Sequence, residues 1–184
     1  MIKIDWDNIK TRLDALVVID EYRTDPNKEW LRLVVKIEEN YGDRYLIDNG
    51  SGDSLDVIFA EKLVLIKGFD HENSLSQFAA EEWNQDIIDG FYKGLDEKYQ
   101  KLYSKDQKDE TTLFIWYDGR VHQNTYQNQD GGEWLLSYFF DSFERFYVFV
   151  TNYYSIKVDE GLLRKLFNQG NLSKVELEQL IYPV

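Results

Sequence analysis

The spacing of hydrophobic residues changes once within the first seventy positions, from the spacing of a helix to that of strands. Apolar residues recur every three or four positions from Trp6 to Val17, which predicts a helix that Asp5 caps and that ends before Pro26. Beyond this point apolar and polar residues alternate, as in strands with one buried face. The pattern predicts an antiparallel meander of four strands, over residues 31–37, 44–48, 55–59 and 62–69.

The connection between the second and third predicted strands is rich in oxygen-bearing side chains and glycine. Residues 48–56 resemble a calcium-binding loop only in composition, because such a loop needs glycine at its sixth position and glutamate at its twelfth. Asp53 and Phe59 occupy those positions here. Since Asn and Gly tolerate a positive φ, the segment predicts a hairpin loop.

A helical segment then interrupts the strands. Apolar residues from Trp83 to Leu95 recur at helical spacing, and two glycines predict a break before a second short helix over 96–104. The charged residues 105–110 predict a loop. Strand-forming residues return over 111–118, and a further strand is predicted over 133–140.

The dipeptide Asp118-Gly119 predicts a two-residue hairpin turn. A tight turn would pair the residues on its two sides in the order Tyr117–Arg120, Trp116–Val121 and Ile115–His122. Near the end of the chain, capping-box spacings at Asp141 with Glu144 and at Ser173 with Glu176 predict helices, and another is predicted over 159–168.

Together these elements predict an α+β fold: a mainly antiparallel sheet built from two β-meander regions separated by a helical insert, with N- and C-terminal helices packed on it. The length of 184 residues suits a single domain over 1–184. Within it the pattern suggests a sub-division into 1–69, an acidic helical insert over 70–110, and 111–184. Whether the two β regions form one sheet or two is left open.

The composition and the motifs exclude several kinds of catalytic and metal site. The chain has no cysteine, which excludes disulfides, thiolate nucleophiles and zinc ribbons. It carries no glycine-rich nucleotide-binding motif and no nucleophile elbow, so the sequence indicates no cofactor and favours a non-enzymatic function. Neither a secretory signal nor a long apolar run is visible, which predicts a cytoplasmic protein. A bacterial source is a separate expectation that the composition does not establish.

The net charge of −13 argues against nucleic acid and anionic membranes as partners, because both would be repelled. The acidity is concentrated between Asp70 and Glu97, where Lys93 is the only base. The predicted partner-binding residues are four carboxylates of this region: Glu81, Glu82, Asp86 and Asp89. A solvated face that aids solubility is the alternative explanation.

The leading functional hypothesis is therefore an intracellular, acidic protein-binding module that engages a basic protein partner. An immunity or inhibitor protein that covers a cationic site would have these properties. The sequence does not indicate an oligomeric state.

Two other hypotheses come from different residue types. Asp70, His71, Glu72 and His122 offer oxygen and imidazole ligands for a metal-assisted hydrolase, provided that the two histidines meet in space. No metal-ligand spacing such as HExxH supports this set, and solvated loop residues would look the same. A carbohydrate-binding module is the third hypothesis, and it requires Trp116, Tyr126 and Trp134 to form an exposed flat platform.

Overall fold

The computed structural model describes residues 4–127 and 129–182. The first helix, α1 (Ile9–Arg23), is present as predicted and is followed by a short 3₁₀ turn, Glu29–Leu31. Its cap differs from the prediction, because Asn8 occupies the N-cap position. Asp5 instead accepts a hydrogen bond of 2.9 Å from the Asn8 side-chain amide.

Six strands form one antiparallel sheet in sequence order, and this confirms the predicted α+β class. The strands are β1 (Val34–Glu39), β2 (Gly42–Asp48), β3 (Ser54–Ala60), β4 (Leu63–Phe69), β5 (Leu113–Tyr117) and β6 (Val121–Gln123). Strand β4 pairs with β5, with Ile66 opposite Ile115, so the two predicted β regions belong to one sheet. A separate two-stranded ribbon joins β7 (Lys157–Val158) and β8 (Ile181–Tyr182).

The hairpin between β5 and β6 is shifted by one residue from the prediction. Tyr117 lies opposite Val121 and Trp116 opposite His122, so three residues form the loop instead of two. Gly119, at the centre of that loop, has a φ of +101°, which favours glycine. The shift places His122 and Trp116 on the same face of the sheet.

The helical insert lies between β4 and β5 and comprises α2 (Gln85–Phe91), α3 (Glu97–Gln100) and α4 (Lys105–Asp109). The predicted loop over 105–110 is wrong, because a capping box between Ser104 and Gln107 starts α4. The insert packs on one face of the sheet through a buried apolar cluster: Ile58, Leu65, Phe114 and Trp116 from the strands, and Leu75, Ile88, Phe91, Tyr92, Leu95 and Tyr103 from the insert.

The predicted strand over 133–140 is also wrong, since Glu133–Phe139 forms a 3₁₀ helix. Its buried residues Leu135, Leu136 and Phe139 recur at a helical spacing, and the buried Phe140 directly follows it. Gly131 directs the chain into this helix with a φ of +65°, and a Cβ there would lie 2.1 Å from the Thr112 carbonyl oxygen. Only glycine fits so close to that carbonyl group.

Three further helices lie in the described residues after position 140: α5 (Phe143–Tyr153), α6 (Glu160–Gln169) and α7 (Lys174–Leu180). The Ser173–Glu176 capping box is confirmed. In α5, however, Ser142 is the N-cap residue in place of the predicted Asp141.

The chain groups into two compact units, one formed by the chain up to Val35 and from Leu136 onward, the other by Lys36–Leu135. Among the described residues, no helix is long and apolar enough to cross a membrane.

Candidate functional site

The four carboxylates predicted to bind a partner lie in one stretch of the insert, and all four are exposed. Glu81 and Glu82 precede α2, whereas Asp86 and Asp89 lie three residues apart on it and therefore on the same side. The opposite side of α2 is buried through Ile88 and Phe91. We refer to these four carboxylates as the acidic surface.

A buried glutamine shapes the loop that carries the first half of the acidic surface. The Gln77 side chain accepts a hydrogen bond of 2.8 Å from the Asn84 backbone N–H and donates one of 3.0 Å to the Leu75 carbonyl oxygen. Asn84 in turn caps α2 by accepting a hydrogen bond from the Asp86 N–H. The residues between Gln77 and Asn84 therefore project from the molecule as a closed loop.

Two large aromatic side chains are exposed on this loop. Phe78 is 62% and Trp83 is 45% exposed, and their rings meet edge to face with centroids 5.6 Å apart. The Phe78 ring also contacts Phe69 at the end of β4, at 5.9 Å. The prediction of Trp83 as part of a buried helical stripe is wrong, because α2 begins two residues after it. We call Phe78 and Trp83 the aromatic pair.

Within the part of the chain that the structure describes, the carboxylates of the acidic surface also form no ion pair. Some exposed carboxylates elsewhere are paired, as in Glu97–Lys101 at 2.8 Å and Glu160–Arg164 at 3.0 Å. The side chains of Glu81, Glu82 and Asp86 form neither an ion pair nor a hydrogen bond with any residue that the structure describes, and the Asp89 carboxylate accepts a hydrogen bond of 3.0 Å from Gln85. Their negative charge is therefore available to a ligand.

The histidine of the Asp70–Glu72 segment is bound to a residue that the sequence analysis did not select. His71 Nδ1 lies 2.8 Å from Asp53 Oδ1, and the His71 backbone N–H donates to the same oxygen at 3.1 Å. Asn49 donates to the other oxygen of Asp53 at 2.8 Å. This arrangement, the histidine clip, ties the loop after β4 to the β2–β3 hairpin loop.

The histidine clip changes the protonation of both partners. The hydrogen bond to Asp53 raises the pKa of His71. Burial alone would raise the pKa of Asp53, but the hydrogen bonds from Asn49 and His71 outweigh it and hold that pKa low. Both shifts favour an ion pair between the imidazolium and the carboxylate.

Asp70 adjoins the histidine clip, but it also has partners of its own. Ligand atoms of Asp53, Asp70 and His71 lie within 4.8 Å of one another, a spacing that a metal ion could use. However, Asp70 accepts hydrogen bonds from the Trp134 indole at 2.9 Å and from the Glu72 N–H at 3.2 Å. The carboxylates of Asp53 and Asp70 therefore already accept hydrogen bonds from other residues of the protein.

The structure does not bring the two histidines together. His122 Nε2 lies 3.0 Å from Asp118, and its ring stacks on Trp116 with centroids 4.9 Å apart and planes within 4°. In the pairing of β4 with β5, Trp116 lies opposite Leu65. The histidine clip begins near the other end of this pairing, where Gly68, three residues further along β4, lies opposite Leu113. That separation is about 10 Å along the strands alone. Glu72 is exposed, with its carboxylate 3.9 Å from His71 Nε2.

The three aromatic residues of the carbohydrate hypothesis do not form an exposed platform. Trp116 is buried in the apolar cluster of the insert, and Tyr126 packs against the same cluster. Trp134 is exposed, but its indole N–H is directed to Asp70. A flat stacking surface for sugar is therefore not assembled by these residues.

Replacing Asp53 with asparagine should remove a pH dependence of stability. Because the pKa of His71 is raised in the folded state, its contribution is complete below about pH 6.5 and is lost as the pH rises through the raised value. Because the pKa of Asp53 is lowered, the same contribution is lost again in acid, as the pH falls through that lowered value. Chemical denaturation from about pH 5 to about pH 9 should show this dependence in the wild type and a weaker one in Asp53→Asn.

An NMR titration of the histidine side chains provides the direct measurement. In Asp53→Asn the His71 titration midpoint should fall toward about 6.5, because the hydrogen bond that raises the pKa of His71 is weakened. An unchanged His71 midpoint would show that Asp53 does not set its protonation.

No family model, no curated protein and no solved structure matches this chain.

Proposed function

We propose that this chain is a non-enzymatic protein-binding module that engages a basic partner through the acidic surface and the aromatic pair. The observation that carries the proposal is one loop on which exposed aromatic rings flank unpaired carboxylates. Trp83 directly follows Glu81 and Glu82, and Phe78 lies three residues before them. A loop that served only solubility would not need two large exposed rings beside its charges.

The two kinds of side chain would make different contributions to binding. Exposed Phe and Trp side chains supply apolar area and are common among the residues that dominate binding energy. Unpaired carboxylates attract a cationic partner over distance and mainly increase the rate of association. The contact of the Phe78 ring with both Phe69 and Trp83 holds it in place before binding, which reduces the entropy lost on association.

The overall charge supports a basic protein as the partner. At −13 the chain repels phosphate backbones and attracts polycations. Covering the cationic site of a toxin or nuclease, as an immunity or inhibitor protein does, is a role that this surface suits. A partner whose basic patch is flanked by an apolar depression would match the loop in both charge and shape.

Neutralising the acidic surface should slow association with the partner. We expect the quadruple variant Glu81→Gln, Glu82→Gln, Asp86→Asn and Asp89→Asn to lower the association rate constant by about tenfold or more at low salt. The wild-type rate should also fall as ionic strength increases from about 0.05 M to about 0.5 M, because screening shortens the range of the attraction. The rates would be measured by surface plasmon resonance with the purified partner, captured first from the source cell at low salt.

A matched control removes the same charge from elsewhere on the surface: Glu29→Gln, Glu39→Gln, Glu144→Gln and Glu178→Gln. Both variants lose four negative charges, from −13 to −9, so net charge cannot distinguish them. A separate variant, Phe78→Ser with Trp83→Ser, should mainly increase the dissociation rate. Equal rates in the two quadruple variants, or no captured partner at low salt, would contradict the proposal.

A further inference from the structure

The helical insert holds a cavity of about 460 Å³ between its three helices. Its lining includes two carboxylates, two amines, one aromatic ring and one amide: Asp86, Asp89, Lys93, Lys108, Tyr92 and Gln100. The volume lies within the range of roughly 300–1,000 Å³ that small-ligand sites occupy. Gly90 also lines the cavity, and a Cβ there would meet no atom within 4 Å.

The charged groups around this cavity are of both signs, yet they do not form ion pairs with one another. None of the four charged side chains forms an ion pair with any residue in the described part of the chain. Lys105, one turn earlier on α4, pairs with Asp109 at 2.7 Å, so the geometry of α4 permits such pairs. Two positive and two negative groups therefore face one space without forming ion pairs with one another.

The remaining lining groups are held in fixed positions. The Tyr92 hydroxyl is hydrogen-bonded to Thr111 Oγ1 at 2.8 Å, which fixes the ring, and Lys108 Nζ lies 5.3 Å from the ring centroid. The Gln100 amide N–H donates to the carbonyl oxygens of Leu95 at 2.8 Å and Tyr92 at 3.3 Å. The Gln100 carbonyl oxygen is thus oriented and can accept a hydrogen bond from a ligand.

We propose that this cavity binds a small zwitterion that carries an ammonium group and a carboxylate, of the class of amino acids and dipeptides. The ligand ammonium would bind between Asp86 and Asp89, and its carboxylate would bind Lys93 and Lys108. A ligand of a single sign would satisfy one pair and repel the other, whereas a zwitterion satisfies both. This site goes beyond the proposed partner binding, although the two share Asp86 and Asp89.

The first experiment is an NMR titration of the ¹⁵N-labelled chain with each of the twenty common amino acids. We expect at least one of them to shift the backbone signals of Gly90, Lys93 and Lys108 in a saturable way. For leucine, two analogues isolate the charges: 3-methylbutylamine lacks the carboxylate and 4-methylpentanoate lacks the amine. The same comparison would be made with the amine and acid analogues of whichever amino acid binds best, and each analogue should bind at least about tenfold more weakly.

Variants then assign the contacts. Asp89→Asn and Lys93→Gln should each weaken binding about tenfold, and since Lys93 is exposed, its variant should fold normally. The control Glu81→Gln with Glu82→Gln lies outside the cavity and should leave zwitterion affinity unchanged while slowing association with the basic partner, so the two proposals can fail separately. The zwitterion proposal is overturned if no amino acid shifts these signals, or if the amine analogue binds as tightly as the amino acid. The second result would instead indicate a pocket for a cationic side chain of the partner.

Discussion

Replacing Asp56 with alanine should lower the free energy of unfolding by about 3–5 kcal/mol, the loss typical of a buried ion pair deprived of one member. Asp56 on β3 accepts two hydrogen bonds from Arg44 on β2, from Nε at 2.9 Å and from Nη2 at 2.5 Å. Lys67 on β4 lies directly opposite Asp56 in the register and donates to the Glu110 carbonyl oxygen at 2.7 Å. All three side chains are buried beneath the insert.

Asp56 and Arg44, the two members of this ion pair, should not contribute equally to the free energy of unfolding. Removing Asp56 leaves Arg44 and Lys67 buried without a carboxylate, whereas Arg44→Met leaves Asp56 beside Lys67. Burial lowers the pKa of Lys67, and the charge of Asp56 opposes that shift, which indicates that Asp56 helps to keep this amine charged. We therefore expect Asp56→Ala to destabilise the protein more than Arg44→Met does.

Urea denaturation of both variants and of the double variant would measure these losses. The double variant should lose less than the sum of the two single variants, because the second substitution removes a charge that the first left unpaired. A loss below about 1 kcal/mol for Asp56→Ala, as for an exposed pair, would show that water reaches the pair.

The second large effect is expected at Asp20, near the end of α1. Its buried carboxylate accepts four hydrogen bonds: from the backbone N–H groups of Leu33 and Val34 at 3.2 and 3.3 Å, from Arg32 Nε at 3.3 Å and from the Tyr154 hydroxyl at 2.9 Å. Asp20→Ala would leave these donors unsatisfied at a cost of about 3 kcal/mol or more. Thermal and urea denaturation would measure this loss.

Two further substitutions separate the contributions at this position. In Asp20→Asn the side-chain amide N–H group would face other donors. This variant should therefore recover only part of the stability that Asp20→Ala loses, although the shape of the side chain is nearly unchanged. Tyr154→Phe removes a single donor and should cost about 1 kcal/mol. If Asp20→Asn were as stable as the wild type, the second carboxylate oxygen of Asp20 would not contribute to stability as a hydrogen-bond acceptor.

The elements that were predicted correctly are those whose signal is local. Alternation marked β2, β3 and β4 because each strand has a buried face, and Ser173 with Glu176 marked α7 because both partners of a capping box lie within one turn. Ser104 with Gln107 carries the same signal for α4, but the many charges around it favour a loop in the sequence pattern. The carboxylates of the acidic surface could also be selected from sequence, since local charge density is visible there.

The errors concern contacts between distant residues. The 3₁₀ helix Glu133–Phe139 depends on Gly131 packing against the carbonyl group of Thr112, nineteen residues earlier, and no pattern within the segment shows that contact. The histidine clip likewise joins Asp53 to His71 across the whole β3–β4 hairpin. The hydrophobic spacing that suggested a helix from Trp83 onward could not show that the Gln77 side chain closes a loop there and leaves Trp83 exposed.

The edges of the six-stranded sheet limit how another protein can bind. Strand β6 has only three residues, and β1 on the opposite edge carries Lys36, Glu38 and Glu39. A partner that added a strand of its own would find few free backbone groups along β6 and would have to bury charges along β1. Recognition by strand addition is therefore disfavoured at both edges, and selectivity must come from side chains. Changes in a partner's backbone conformation should matter less to binding than changes in the identity of a few of its residues.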